Sequence, residues 1–174
     1  MPELWDAIVL EAEDESPLWS DCLVPSHERE LVAVFSPLGE DRYALGLETI
    51  YEGYLLHYGR PRLFAPADRD TALLLGDYLY AHGLVRVASF GEVGAVSDLA
   101  ELISLCAQRR AEDGDGDGAA WAATAALLGQ GSLERARDAL RVSGDPEPLA
   151  ELARSSAGED VLANALASHR ARVG

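Results

Sequence analysis

Glu48, Glu52, His57, Asp77 and His82 fall in two neighbouring segments and carry the side chains that hold metals or move protons. Helical bundles build di-metal centres from carboxylates and Glu-x-x-His pairs on facing helices. Here His57 follows Glu52 by five positions and His82 follows Asp77 by five. Five residues are about 140° round a helix, so neither pair chelates well from one face. Asp77 lies in Leu73–Ala88, a run that is apolar nearly all round, and a buried carboxylate needs a partner. We expect it buried or half-buried, bonded to a tyrosine or to Arg60 or Arg62.

A second constellation is Asp113-Gly114-Asp115-Gly116-Asp117-Gly118. It matches the first half of an EF-hand loop, with Asp113, Asp115 and Asp117 as the metal candidates. The closing position is Thr124 rather than a bidentate glutamate, so the alternative is a flexible acidic linker. Cys22 and Cys106 are far apart and form no CxxC pair, against a zinc site or disulfide framework. No Gly-x-Ser-x-Gly elbow, phosphate-cradling loop or nucleophilic triad is present. No catalytic residue and no cofactor is assigned.

The elements that must position these groups read as helices. Residues 3–12 form a short one, broken at Glu13–Pro17, and 16–25 reads as a loop anchored by Trp19. Ser26 caps a helix through about Phe35; a strand over Leu31–Phe35 is the alternative, disfavoured because nothing nearby offers it a partner. Tyr43, Leu47, Ile50, Tyr51, Tyr54, Leu55 and Tyr58 mark one face of a helix over 41–58. Gly59-Arg60-Pro61 stops it. The next helix, 68–89, reads as central, with Leu74, Tyr78, Ala81 and Val85 as one stripe. A third, 92–111, turns Val93, Val96, Leu99, Ala100, Ile103, Cys106 and Ala107 inward. Alanine-rich helices follow at about 119–128, 132–142, 147–156 and 159–172, separated by glycine-containing turns. The fold expected is all-α, a single-domain bundle of about 6–8 helices. Residues 1–111 make its main helical body, 112–118 an acidic glycine-rich linker, and 119–174 the C-terminal helices, packed on the same domain.

Glu48, Leu55-Leu56-His57 and the later Gly76-Asp77-Tyr78-Leu79 resemble motifs of the trans-polyprenyl diphosphate synthases. In that family a glutamate and an apolar-apolar-His run lead to an aspartate-rich motif that holds magnesium, and the following helix opens with Gly-Asp-Tyr-Leu. The resemblance covers about residues 45–90. Tyr58-Gly59 stands where the family has paired aspartates, no second aspartate-rich motif follows, and the chain has no lysine. Magnesium needs those oxygen ligands. The resemblance therefore implies a non-catalytic relative, with Glu48, Glu52, His57, Asp77 and Tyr78 as candidate ligand-binding residues.

The 174 residues suffice for one domain, and the formal net charge is −16. Such acidity repels phosphate backbones and anionic lipid; nucleic acid is excluded as a partner. No apolar run approaches the ~20 residues that insert in a membrane. The acidic N-terminus does not read as a signal peptide, and two isolated thiols fit a cytoplasmic location. The favoured function is a non-catalytic helical protein acting through protein–protein contact, as an accessory subunit or a homo-oligomer. Tyr51, Tyr54, Tyr58 and Phe64 are its expected interface anchors, and their alternative role is core. The rival function is an enzyme or binding protein for an isoprenoid or other apolar ligand, held between helices 43–58 and 70–89.

Overall fold

The computed structural model describes residues 2–173, with side chains from Leu4. Among the described residues nine α-helices run in order: α1 Pro2–Glu15, α2 Pro17–Ser20, α3 Ala44–Tyr58, α4 Arg69–Ala88, α5 Val93–Ala111, α6 Asp117–Ala126, α7 Glu134–Ser143, α8 Glu147–Ala157 and α9 Glu159–Val173. The only β-pairing among the described residues is one antiparallel bridge, Leu23 to Phe64. The chain is all-α, as its periodicity implies. Eight of the helices have ten residues or more.

Local chemistry explains most boundaries. Ser16 Oγ accepts from Leu18 N at 3.1 Å and Pro17 opens α2, so the expected 16–25 loop begins with a helical turn. Asp68 caps α4, accepting from Thr71 N at 2.8 Å. Gly144, at φ 67°, supplies the left-handed residue that ends α7.

The expected helix over Ser26–Phe35 does not form. The chain makes a single 3-10 turn at Ser26–Glu28 and then runs irregularly to another at Ser36–Leu38. Side chains take over its backbone partners: Val34 N and Ser36 N donate to Glu48 Oε1 at 3.1 and 3.0 Å, and Val32 O accepts from Arg62. A segment satisfied in this way needs neither a helix nor a sheet.

The central helix is α3, not α4. Every α3 residue except Leu45, His57 and Tyr58 is buried. α4 packs on it through glycines. A Cβ on Gly53 would lie 2.8 Å from Gly76 O, and one on Gly83 would lie 2.9 Å from Gly46 O. Two glycines seven apart on each helix thus face each other, and the backbones touch. The α4 face that does this is Leu75, Gly76, Leu79, Gly83 and Val87, all buried. Of the expected stripe, Leu74, Ala81 and Val85 point away, Leu74 and Val85 being 58% and 68% exposed, while Tyr78 is half-buried against the smaller of two apolar clusters. On α5, Leu99 and Cys106 are inside as expected, but the buried face is completed by Leu102 and Leu105, which the expected face left out, while Val93 and Ala100 are exposed.

One apolar core runs from Val34 through Trp121 to Ala165, joining α3, α5, α6, α8 and α9. The regions before and after the acidic loop therefore share a core. A smaller cluster gathers Trp5, Ile8, Leu63, Phe64 and Leu75 between α1, α3 and α4. α6 is buried at every position, which its alanines and Gly118 permit. No helix among the described residues is long and apolar enough to cross a membrane.

Candidate functional site

The candidate carboxylates and imidazoles do not converge. Glu48 and Glu52, one turn apart on α3, both close on the fully buried Arg62. Arg62 Nη1 reaches Glu48 Oε2 at 2.5 Å and Arg62 Nε reaches Glu52 Oε2 at 2.8 Å. Glu52 Oε1 also accepts the Arg62 and Leu63 amides, each at 2.7 Å. Burial alone would lower the Arg62 pKa, but the Glu48 and Glu52 charges outweigh it and raise it. The guanidinium lies 4.8 Å from the Trp5 ring centre. This knot ties residues 32–36 and 62–63 to α3; with no carboxylate oxygen left over, it has nothing to offer a ligand.

Asp77 is exposed, contrary to expectation, and pairs with neither a tyrosine nor an arginine. His57 Nε2 lies 3.2 Å from its Oδ1, outside hydrogen-bond geometry. The cause is the orientation of α4: Gly76 takes the inward position beside it, against the His57 ring. Tyr78 belongs to another neighbourhood, packing on His82 and Trp19 and donating to Glu11 O at 3.4 Å. The space between α3 and α4 proposed for an apolar ligand is closed by the paired glycines.

The expected interface anchors are core. Tyr51, Tyr54 and Phe64 are buried and Tyr58 is half-buried. α3 is covered on all sides, so its surplus of large apolar residues is consumed inside the molecule. Tyr51 and Tyr54 meet Trp121 edge to face, and Phe35 stacks on the same indole.

The acidic loop leads into a buried polar cluster in place of a calcium site. Gly114 N donates to Arg109 O and Arg109 Nε to Asp115 O, so 113–116 is a hydrogen-bonded turn rather than a linker. Asp117 starts α6 and turns its carboxylate inward. Its Oδ2 accepts from Tyr54 OH and from Arg110 Nε, the latter at 2.8 Å. Its Oδ1 accepts from Gly118 N at 3.0 Å and faces His169 Nε2 at 3.4 Å. Tyr51 OH lies 3.0 Å from His169 Nδ1. Among the described residues no group of three or more histidine, cysteine or acidic side chains is arranged to hold a metal, so Asp113, Asp115 and Asp117 do not make one.

Burial alone would raise the Asp117 carboxyl. The hydrogen bonds from His169 and Tyr54 and the nearby charges of His169 and Arg110 outweigh it and hold the group far below the ordinary range. Burial, reinforced for Tyr54 by the Asp117 charge, pushes both tyrosine hydroxyls well above 10. A hydroxyl, an imidazole and a carboxylate in series is the layout that activates a nucleophile. Here Tyr51 is sealed beneath Phe35 and Trp121 and its phenol resists ionisation, so the series orders the core and cannot attack a substrate.

The sequence reading gave Arg62 to Asp77 rather than to Glu48 and Glu52, and Asp117 to a metal rather than to Tyr54 and Arg110; Arg110 and His169 escaped it. Two glutamates one turn apart in an apolar helix were the signal for a buried cation; nothing local marks His169. One surface feature also emerges. Asp70, Leu74, Asp77, Ala81, Val85 and Ala88 follow one another along the outer face of α4, and all are exposed. Comparison with protein-family models, with curated proteins and with solved structures returns no match to this chain.

Proposed function

We propose that this chain is a non-catalytic helical protein that acts by contact with a protein partner, as the accessory component of an assembly, and that it makes this contact with the outer face of α4. One observation carries the reading: α4 spends glycines on α3 and leaves Leu74, Ala81 and Val85 facing solvent on one continuous stripe. Val93, at the head of α5, is 81% exposed. A leucine and two valines held in water forgo about 1.5–3 kcal/mol each that burial would supply. Apolar stripes of this kind mark contact surfaces. Asp70 and Asp77 punctuate the stripe, so the complementary surface is apolar with basic residues at its edge.

The test is a capture experiment from the native cell extract with the wild-type chain and a Leu74→Ser/Val85→Ser variant. The expected result is a partner retained by wild type and lost by the variant, with equal melting temperatures. Identical capture by both would refute the assignment of the α4 face. Metal-dependent turnover of an allylic diphosphate above background would overturn the non-catalytic reading.

A further inference from the structure

We infer that a cavity beside the Asp117 cluster is a binding site for a small amphiphilic carboxylate. The cavity measures about 470 Å³, within the ~300–1,000 Å³ of small-molecule pockets. It lies where the Arg110 end of α5, the first turn of α6, the start of α8 and the end of α9 meet. One wall is apolar, formed by Ala119, Pro146, Ala150 and Leu166. The polar wall carries Arg110, Asp117, His169 and Arg170.

The hydrogen-bond inventory decides the sign of the head group. Both Asp117 oxygens are already committed, to Tyr54, Arg110, Gly118 and His169. A saturated carboxylate has nothing left for a cationic ligand. The donors are not used up. Arg110 commits Nε and Nη2 to Tyr54 and Asp117 and leaves Nη1 unpaired among the described residues. Arg170 is exposed and makes no ion pair among them. The Asp117 and Ala119 amides at the start of α6 also have no acceptor there. Two guanidinium groups and two helix-terminal amides beside an apolar wall suit a carboxylate head with a hydrocarbon body. The one acidic side chain of the lining without a partner is the exposed Asp115.

Decanoate is the probe, titrated below its micelle concentration, with decylamine and 1-decanol as controls of the same chain length. Backbone amide chemical shifts read the site. We expect saturable one-site shifts at Asp117, Ala119 and Ala150 with decanoate, and weaker binding of both controls. Arg170→Gln should weaken decanoate, and Arg170→Glu should weaken it about tenfold or more, the worth of one charge-assisted contact. Arg170→Gln should leave the melting temperature nearly unchanged, because Arg170 makes no ion pair among the described residues; Arg170→Glu places a negative charge in the last turn of α9 and should lower it only slightly. No saturation with decanoate, decylamine binding as tightly, or unchanged affinity in Arg170→Glu would overturn the inference.

Discussion

Gly53 of α3 and Gly76 of α4 meet backbone to backbone: a Cβ on Gly53 would lie 2.8 Å from the Gly76 carbonyl oxygen. Seven residues away along each helix, Gly46 and Gly83 repeat the contact. The close approach seats Ile50 against Gly83 and Val87 against Gly46, and removes the space in which a ligand between these helices would sit. Gly53→Ala and Gly83→Ala should each lower stability by about 1–3 kcal/mol, since overpacking outweighs the ~1 kcal/mol that alanine gains in a helix. Urea unfolding measures this. An unchanged or raised midpoint would mean that the helices separate at no cost.

Arg62 is the shared cation of two buried glutamates, so its loss leaves both carboxylates without an ion-pair partner. Arg62→Met should cost at least the ~3–5 kcal/mol of a broken buried ion pair, or prevent folding. The triple change Glu48→Gln/Glu52→Gln/Arg62→Met removes every charge of the knot and should recover some of that loss, read as melting temperature. Greater damage from the triple variant than from Arg62→Met would contradict the charge argument.

Acid should act through Asp117. Its folded pKa lies below the ordinary 3.8, so the unfolded chain binds the proton more readily. The stability it contributes is complete above about pH 4 and drains away as pH falls below that. Between pH 5 and pH 2.5 the wild-type chain should lose more stability than Asp117→Asn, which starts weaker and lacks this titration. Parallel losses would remove Asp117 from the acid response. His57 acts in a higher window: burial lowers its pKa below 6.5 despite Asp77, so its contribution is complete above pH 6.5 and declines below.

Tyr51 and Tyr54 are core residues, and alanine there should cost about 3–5 kcal/mol through the cavity left against Trp121. Any loss of association with a partner should follow only from loss of fold. Tyr54→Phe is the finer probe. It keeps the packing but withdraws a donor from Asp117, for a cost of about 1–3 kcal/mol. Lost partner binding with unchanged stability in the alanine variants would return these tyrosines to an interface.

The sequence by itself determined where most helices lie. The period of three and four residues in 41–58, the Gly59-Arg60-Pro61 stop and the glycines near 130, 144 and 158 are local signals, and the helices α3 to α9 begin and end within a few residues of them. It also determined the all-α class, because no alternating run competed. Tertiary structure decided which faces turn inward. α4 has apolar residues all round, so its pattern did not say that Gly76 and Gly83 would meet α3 while Leu74 and Val85 stayed in water. Residues 26–35 carry helix-compatible residues, yet Glu48 and Arg62 supply backbone partners to Val34 and Val32 from 14 and 30 positions away. Tyr51 reaches His169 across 118 positions. Helical periodicity and capping act over about four residues, where spacing is written in the chain. A buried charge chooses its partner by desolvation, and that choice exists only once the segments have packed.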